Sequence, residues 1–397
     1  MFIISYTFYI ALAILFVPTL MFCIECLLGL YYHDRKNTLQ TFTRKTSDIR
    51  SAIIVPAHNE EDVINDTLTL LSEQLTDKDT VYVVADNCSD NTIELCKAYD
   101  VNVLERNDDK NRGKGFALDF GLQHIQNSTQ EVIIILDADC LLGEDALAHL
   151  KEACIHYNLP IQAKYLIQHR ELTSFTKKIS EFAVLVKNSI RLNGMRILNL
   201  GVPLCGTGMA FPWDQIKHSQ LASSEIVEDM KLGVDLAIAG APPLYFPQAT
   251  VTSYFPTSEE SLKSQRERWE HGHLGIIQSM WRPLLGQSII QKRLALLGVL
   301  IDITIPPLAV LILMQGFAFV VSLILALVFS SLSYAILPTM FLGVITCVVL
   351  IVWHAEGRHI LTGKDLILLP SYIFSKLNIY KKFIKGRQKS WVKTDRN

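Results

Sequence analysis

Two aspartates, Asp137 and Asp139, stand either side of one alanine directly after the apolar run 132–136. An uninterrupted Val/Ile/Leu run of that length reads as a buried strand. The two carboxylates therefore emerge together where the strand leaves the core, and unpaired they would repel and raise each other's pKa. A hard divalent cation, Mg²⁺ or Mn²⁺, resolves the conflict, because it takes carboxylate oxygens and completes its shell with substrate phosphates. At 111–115 the chain reads NRGKG at the start of a helical pattern. Two glycines let backbone approach a ligand, Lys114 supplies a point charge, and a helix N-terminus favours an anion. Neither the GxxxxGK[ST] spacing of a Walker loop nor a GxGxxG fingerprint occurs, which removes the ATPase and dehydrogenase readings. A further acidic pair, Glu228 and Asp229, opens a helical pattern reaching about residue 239. Neighbouring helical positions point in different directions, so only one of the two need face a cleft.

Elements that could position these residues alternate along the chain. Apolar runs at 51–56, 81–85, 101–105 and 132–136 are separated by helical patterns at 60–74, 92–99 and 114–125. Continuous apolar strands alternating with amphipathic helices imply a mainly parallel sheet covered on both faces. Ligands of such sheets bind beyond the carboxyl ends of the strands. Three of those ends carry polar clusters: AHNEE at 57–61, ADNCSD at 85–90 and DADC at 137–140. Asn59 and Asp90 have a simpler reading as caps of the following helices.

The chain has 397 residues, half of them hydrophobic and 19% charged, with a net charge of −2. That balance offers no footprint for nucleic acid. Residues 2–24 carry no charge and are long enough for the ~30 Å hydrocarbon core. No basic start precedes them, so they read as a retained anchor rather than a cleaved signal. Runs at 308–329 and 334–353 form a second and third span. Arg35, Lys36, Arg44, Lys45 and Arg50 follow the first span, and Lys376 through Arg396 follow the last. The positive-inside bias then puts the N-terminus outside and the remainder in the cytosol, with the protein integral to the cytoplasmic membrane. Segments 294–305 and 360–379 read as interfacial helices on the inner leaflet, although five spans would satisfy the same parity. Asp302 and the Pro306-Pro307 pair count against a span at the first of them. Eight cysteines show no metal-ligand or disulfide pattern, and the CxxC at Cys23 and Cys26 reads as lipid-facing filler. His271 and His273 read as packing or acceptor contacts, because the paired aspartates already supply a metal site.

Taken together, PAHNEE at 56–61, ADNCSD, NRGKG, DADC, GTGMAF at 206–211, the Glu228-Asp229 pair and QRERW at 265–269 resemble the membrane-integrated family 2 glycosyltransferases, the branch of the cellulose, chitin and hyaluronan synthases. The likeness runs from about 48 to 282. It implies an α/β fold of GT-A type, a Rossmann-like, mainly parallel sheet, as a cytosolic domain with transmembrane helices at both ends. Carried over position by position, Asp86 would read the uracil, Glu60 contact the nucleoside and Lys114 face the diphosphate. Asp137 would lie by ribose and diphosphate, and Asp139, with Asp137, would hold Mg²⁺ or Mn²⁺. Asp229 would be the general base. Gln265, Arg268 and Trp269 would close over the diphosphate, with Trp269 bordering the acceptor, and Gly206, Thr207 and Gly208 would form the acceptor floor.

The corresponding organisation is an anchor at 1–32, a glycosyltransferase domain at 48–257, the QxxRW segment and interfacial helices at 258–306, a transmembrane hairpin at 307–356, and an interfacial helix with a basic tail at 357–397. The implied activity is that of an inverting hexosyl- or N-acetylhexosaminyltransferase using a UDP-sugar to extend an envelope or extracellular polysaccharide. Three spans offer little wall for a polymer channel, which calls for a partner subunit or an oligomer, or for single addition to a membrane lipid instead. A non-catalytic scaffold is a third reading, and it leaves Asp137, Asp139, Asp229 and Arg268 without a purpose.

Overall fold

A computed structural model describes residues 2–31, 45–126, 129–223 and 227–385. The basic residues at 35, 36 and 44 and those beyond 385 lie outside them. The first elements are α1 (Phe2–Tyr31), β1 (Ser51–Ala57), α2 (Ile64–Ser72), β2 (Asp79–Asp86), α3 (Thr92–Cys96), β3 (Asn102–Arg106), α4 (Lys114–Ile125) and β4 (Val132–Ile135). Next come β5 (Leu141–Leu142), α5 (Ala146–Tyr157), β6 (Ile161–Gln168), α6 (Phe175–Leu185), α7 (Leu192–Ile197), β7 (Met209–Pro212), α8 (Trp213–Ile216), α9 (Glu228–Ala239) and β8 (Leu244–Tyr254). The chain continues with α10 (Glu259–Ile290), α11 (Leu294–Ile303), α12 (Leu308–Val328), α13 (Ser333–Val352), α14 (Leu369–Ser375) and α15 (Leu377–Lys385). These elements fall into two compact units, an α/β unit within 36–170 and 199–272 and a helical unit within 1–35, 171–198 and 273–387.

The α/β unit is built on an eight-stranded sheet in the order β3-β2-β1-β4-β7-β6-β8-β5. Strands β3, β2, β1 and β4 run parallel, as the alternating pattern requires. Beyond β4 the sheet is mixed, because β7 is antiparallel to both β4 and β6, β8 is parallel to β6, and β5 is antiparallel to β8. Ile53, Ile54, Val83, Val84, Ile133 and Ile134 are all buried, which is why these strands read as unbroken apolar runs rather than alternations. Helix α4 covers one face through Ala117, Leu118, Leu122 and Ile125. Gly121 allows that approach, since a Cβ there would meet the methyls of Ile54 and Val84 at 3.0 Å. The other face holds a fully buried ion pair, with Lys151 Nζ 2.8 and 2.9 Å from the two Asp79 oxygens. Ser51 Oγ and the Thr76 hydroxyl also donate to Asp79, so the carboxylate is not left short of donors.

In the helical unit, Ile3–Tyr31, Leu308–Val328 and Ser333–Gly357 are each long and apolar enough to cross a membrane. The first is longer than its uncharged sequence suggests and contains Glu25. Arg191 explains how: its Nε donates to Glu25 Oε2 at 2.7 Å and its Nη2 to Asp302 Oδ1, so the buried charges of three segments satisfy one another. Helix α1 touches α7 and the π-helical turn before it, Val186–Arg191, backbone to backbone at two glycines, where a Cβ on Gly29 would lie 2.0 Å from Ile190 O and one on Gly194 2.0 Å from Glu25 O. Asn193 Nδ2 donates to Gly29 O across this contact. Cys23 and Cys26 are buried here, so the lipid-facing expectation for them is wrong. Gln315 on α12 donates to the Thr19 hydroxyl of α1, and Ser5 bonds Tyr334 of α13. The α11 helix has 10 residues, about 15 Å, which is half a bilayer core. Segment 360–379 is not one helix but a 3₁₀ turn at Asp365–Leu368 followed by α14 and the start of α15.

Candidate active site

Parallel register brings Ala57 beside Ala85 and Asp86 beside Arg106, so β1, β2 and β3 finish at one rim. Loops 57–61 and 85–92 are stitched together there. Asn59 Oδ1 accepts from Ser89 N, Glu61 N donates to Asp90, and Asp90 in turn accepts from Thr92 N, so both residues tie the two loops together, while the cap positions of α2 and α3 fall to Val63 and Asn91. Glu60 uses its backbone N–H on the Thr92 hydroxyl, and its carbonyl accepts from Val63 and Ile64 at the start of α2. Asp86 is 6% exposed and receives Arg106 Nη1 at 2.6 Å and Asn87 Nδ2 at 2.9 Å. Arg106 continues to Asp108 and to the carbonyl of Asn111, linking β3 to the NRGKG loop. The motif reading missed Arg106, and only its place at a strand end hinted at it.

Lys114 is the first residue of α4, and its Nζ donates to Gly206 O at 2.8 Å while pairing closely with Asp137 Oδ1. Burial alone would lower its pKa, but the carboxylates of Asp137, Glu228 and Asp229 outweigh that and hold it above the ordinary lysine range. Gly115, by contrast, serves the fold: a Cβ there would lie 2.5 Å from Leu221 O, so its lack of side chain admits that loop rather than a ligand.

Asp137 N donates to Thr207 Oγ1, and Thr207 is fully buried. Gln162, also fully buried, donates to Thr207 O and accepts from Cys205 N. Gly208 has φ +62° and is packed against Val251 and Ala163. Thr207 and Gly208 thus frame the site from below, while Gly206 lines it. At φ +91°, a Cβ on Gly206 would sit 3.3 Å from Asp229 Oδ2 and 3.6 Å from Lys114 Nζ. Ligand atoms of Asp137, Asp139 and Cys140 lie within 4.8 Å of one another. Burial pushes the Cys140 thiol well up, leaving the two carboxylates as the hard donors, a set that fits Mg²⁺ or Mn²⁺.

Asp229 Oδ1 accepts from Met230 N in the first turn of α9. Its neighbour Glu228 is pushed up to about 8, by burial first and by Asp229 second. The unfolded chain ionises this carboxyl near 4.5, so between there and about 8 the unfolded state loses a proton that the folded state keeps. Stability from the neutral group is therefore full at low pH and lost as pH rises through that window. The thermal midpoint of the parent minus that of Glu228→Gln should fall from about pH 4.5 to about pH 8 and level off above. Parallel midpoint curves would show that Glu228 ionises as an ordinary carboxylate.

Helix α10 carries Gln265, Arg268 and Trp269, which with Gly272 share one helical face. Gly272 is where this face meets Val227, the residue before Glu228. Trp269 lies 6.4 Å from Phe255, whose ring is stacked on His169 at 4.4 Å. Gln265 Oε1 is buried with no hydrogen-bond partner among the described residues. Asp86, Lys114, Asp137, Asp139, Gly206 and Asp229 thus border the carboxyl ends of the first four strands, and the QxxRW face adjoins them through α9.

A family model described as "Glycosyltransferase like family 2" matches residues 50–272. The chain belongs to that family. The match covers the α/β unit from β1 to the first half of α10. Among curated glycosyltransferases, the chain is 27% identical over 280 residues to a poly-beta-1,6-N-acetyl-D-glucosamine synthase of Staphylococcus aureus, covering 65% of this chain and 64% of that one. The synthase of the same name from Staphylococcus epidermidis is 26% identical over 263 residues, covering 62% and 58%. The chain thus spans about 64% of the length of the first of these relatives. Among solved structures, the mannosyltransferase PcManGT from Pyrobaculum calidifontis, determined with GDP-Man and Mn²⁺, aligns over 94% of both chains at 16% identity with a TM-score of 0.49.

Proposed function

We propose that this family 2 glycosyltransferase is an inverting enzyme that takes a UDP-sugar on the cytosolic face of the cytoplasmic membrane and extends a polysaccharide. The observation that carries the reading is the convergence of Lys114, Asp137 and Asp229 around Gly206, a cation and two carboxylates in one cleft at the strand ends. Asp86, fixed by Arg106, and Glu60 hold the nucleoside. Lys114 and Arg268 neutralise charge as the nucleoside diphosphate leaves. A divalent cation on Asp137 and Asp139, when bound, supplies Lewis-acid stabilisation of that leaving group. Asp229 takes the proton of the acceptor hydroxyl, and the sugar's configuration inverts because attack and departure are on opposite faces.

An N-acetylhexosamine is the donor sugar best supported, because the curated relatives are named for a polymer of N-acetyl-D-glucosamine. The acceptor is the growing chain, bordered by Trp269. Lipid surrounds the three apolar helices, with the N-terminus outside. Incubating the purified protein with UDP-N-acetylglucosamine and Mn²⁺ and sizing the product tests this directly. A ladder of β-linked polymer is expected. One glycolipid band would replace chain extension with single addition, and no sugar transfer from any UDP-sugar would remove the catalytic reading.

A further inference from the structure

Gly272 occupies a helix interior, where glycine is less favourable than alanine. Its value there is space. A Cβ at this position would lie 2.6 Å from Val227 Cγ1 and 3.2 Å from Val227 Cγ2, well inside carbon–carbon contact distance. Val227 is buried and β-branched, so its methyls have little freedom to turn away. It is also the residue from which α9 starts, with Glu228 and Asp229 in the first turn. The face of α10 that meets Val227 is the one shared by Gln265, Arg268 and Trp269.

We infer that Gly272 is a positioning residue: its contact with Val227 sets the spacing between the QxxRW face and the Asp229 carboxylate. The inference rests on the reading of Asp229 as the base that acts on the acceptor. Any side chain at 272 must tilt α10 outward or shift the first turn of α9, and a displacement of about 1 Å at a reacting group can cost roughly 100-fold in rate. The nucleotide end of the site, at Asp86 and Arg106, is formed by other elements and is left untouched.

The test is a size-exchange cycle on the full-length protein in detergent, reading turnover and UDP affinity together. Gly272→Ala should lower kcat by about ten-fold or more, with a clearly smaller change in UDP affinity because Asp86 and Arg106 still hold the nucleoside. Adding Val227→Ala to that variant removes the clashing methyls and should restore most of the lost turnover. Parent-like turnover in Gly272→Ala, or a loss that Val227→Ala does not relieve, would overturn the inference. Should Gly272→Ala lose UDP binding through misfolding, Val227→Ile fills the same gap from the other side with the glycine kept, and unchanged turnover there would be equally decisive against it. Asp229→Asn in the same assay separates the two readings. An active Asp229→Asn alongside a rescued cycle would sink the base assignment and leave the spacing role standing, whereas an inactive one with a normal Gly272→Ala would do the reverse.

Discussion

Replacing Asp229 by asparagine should lower turnover by roughly 10²- to 10⁴-fold while UDP affinity stays nearly constant. The amide keeps the size of the side chain and its acceptor for Met230 N, so α9 should form as before. What it loses is the ability to take a proton when the acceptor hydroxyl attacks. Asp137→Asn and Asp86→Ala should behave in the opposite way, weakening UDP binding itself. For Asp86 the reason is concrete: removing the carboxylate takes away the closest anion of buried Arg106, leaves it only Asp108 and the Asn111 carbonyl, and frees the guanidinium to shift in the pocket it lines. Near-normal turnover in Asp229→Asn, or an α-linked product from an α-linked donor, would move attention to Glu228 or to a two-step reaction.

Asp139→Ala should abolish transfer, and so should excess chelator acting on the parent protein, with Mn²⁺ or Mg²⁺ restoring activity in the second case only. Isothermal titration of Mn²⁺ gives an independent reading, since the parent should show a site that Asp139→Ala lacks. Full turnover in excess chelator would take the cation out of the reaction and leave Lys114 and Arg268 to carry the leaving charge.

Some of this geometry was legible in the sequence, and the reasons differ from residue to residue. Helices 114–125 and 228–239 start and stop where their patterns do, because each begins at a polar pair or a glycine and keeps a single apolar face. Strands β1, β2 and β4 were readable because both of their faces are largely buried, and β3, a half-exposed edge strand, because it repeats their alternation with helices. Strand direction beyond β4 was not, since an apolar run pairs equally well either way and only the tertiary path decides. Arg106 lies 20 residues from Asp86, and no periodicity links a strand-end arginine to a carboxylate on the next strand. Gln162 hid among the polar residues of β6, beside Lys164 and Gln168, although a fully buried amide must be bonded to something. Glycines misled in the other direction: those of NRGKG suggested room for a ligand, yet Gly115 makes room for the chain's own backbone at Leu221. Gly272 gave no signal at all, because a close contact is a property of two segments and not of either alone.

The ion pairs of Arg191 carry a consequence for how the protein is made. A first helix that crosses a membrane would carry Glu25 in with it, but the partner of Glu25 lies 166 residues further along, and Asp302 is a further 111 beyond that. At a synthesis rate of roughly 5–20 residues per second, the first helix waits on the order of ten seconds or more before the guanidinium exists. During that interval a lone carboxylate is poorly placed in hydrocarbon, so the nascent helix should rest shallow, with Glu25 held toward the head groups, and settle only when the segment at 186–191 arrives. The final seating of the N-terminal helix should therefore come late, after insertion, and Arg191→Leu should leave nascent chains in contact with the insertion machinery long after the parent has been released.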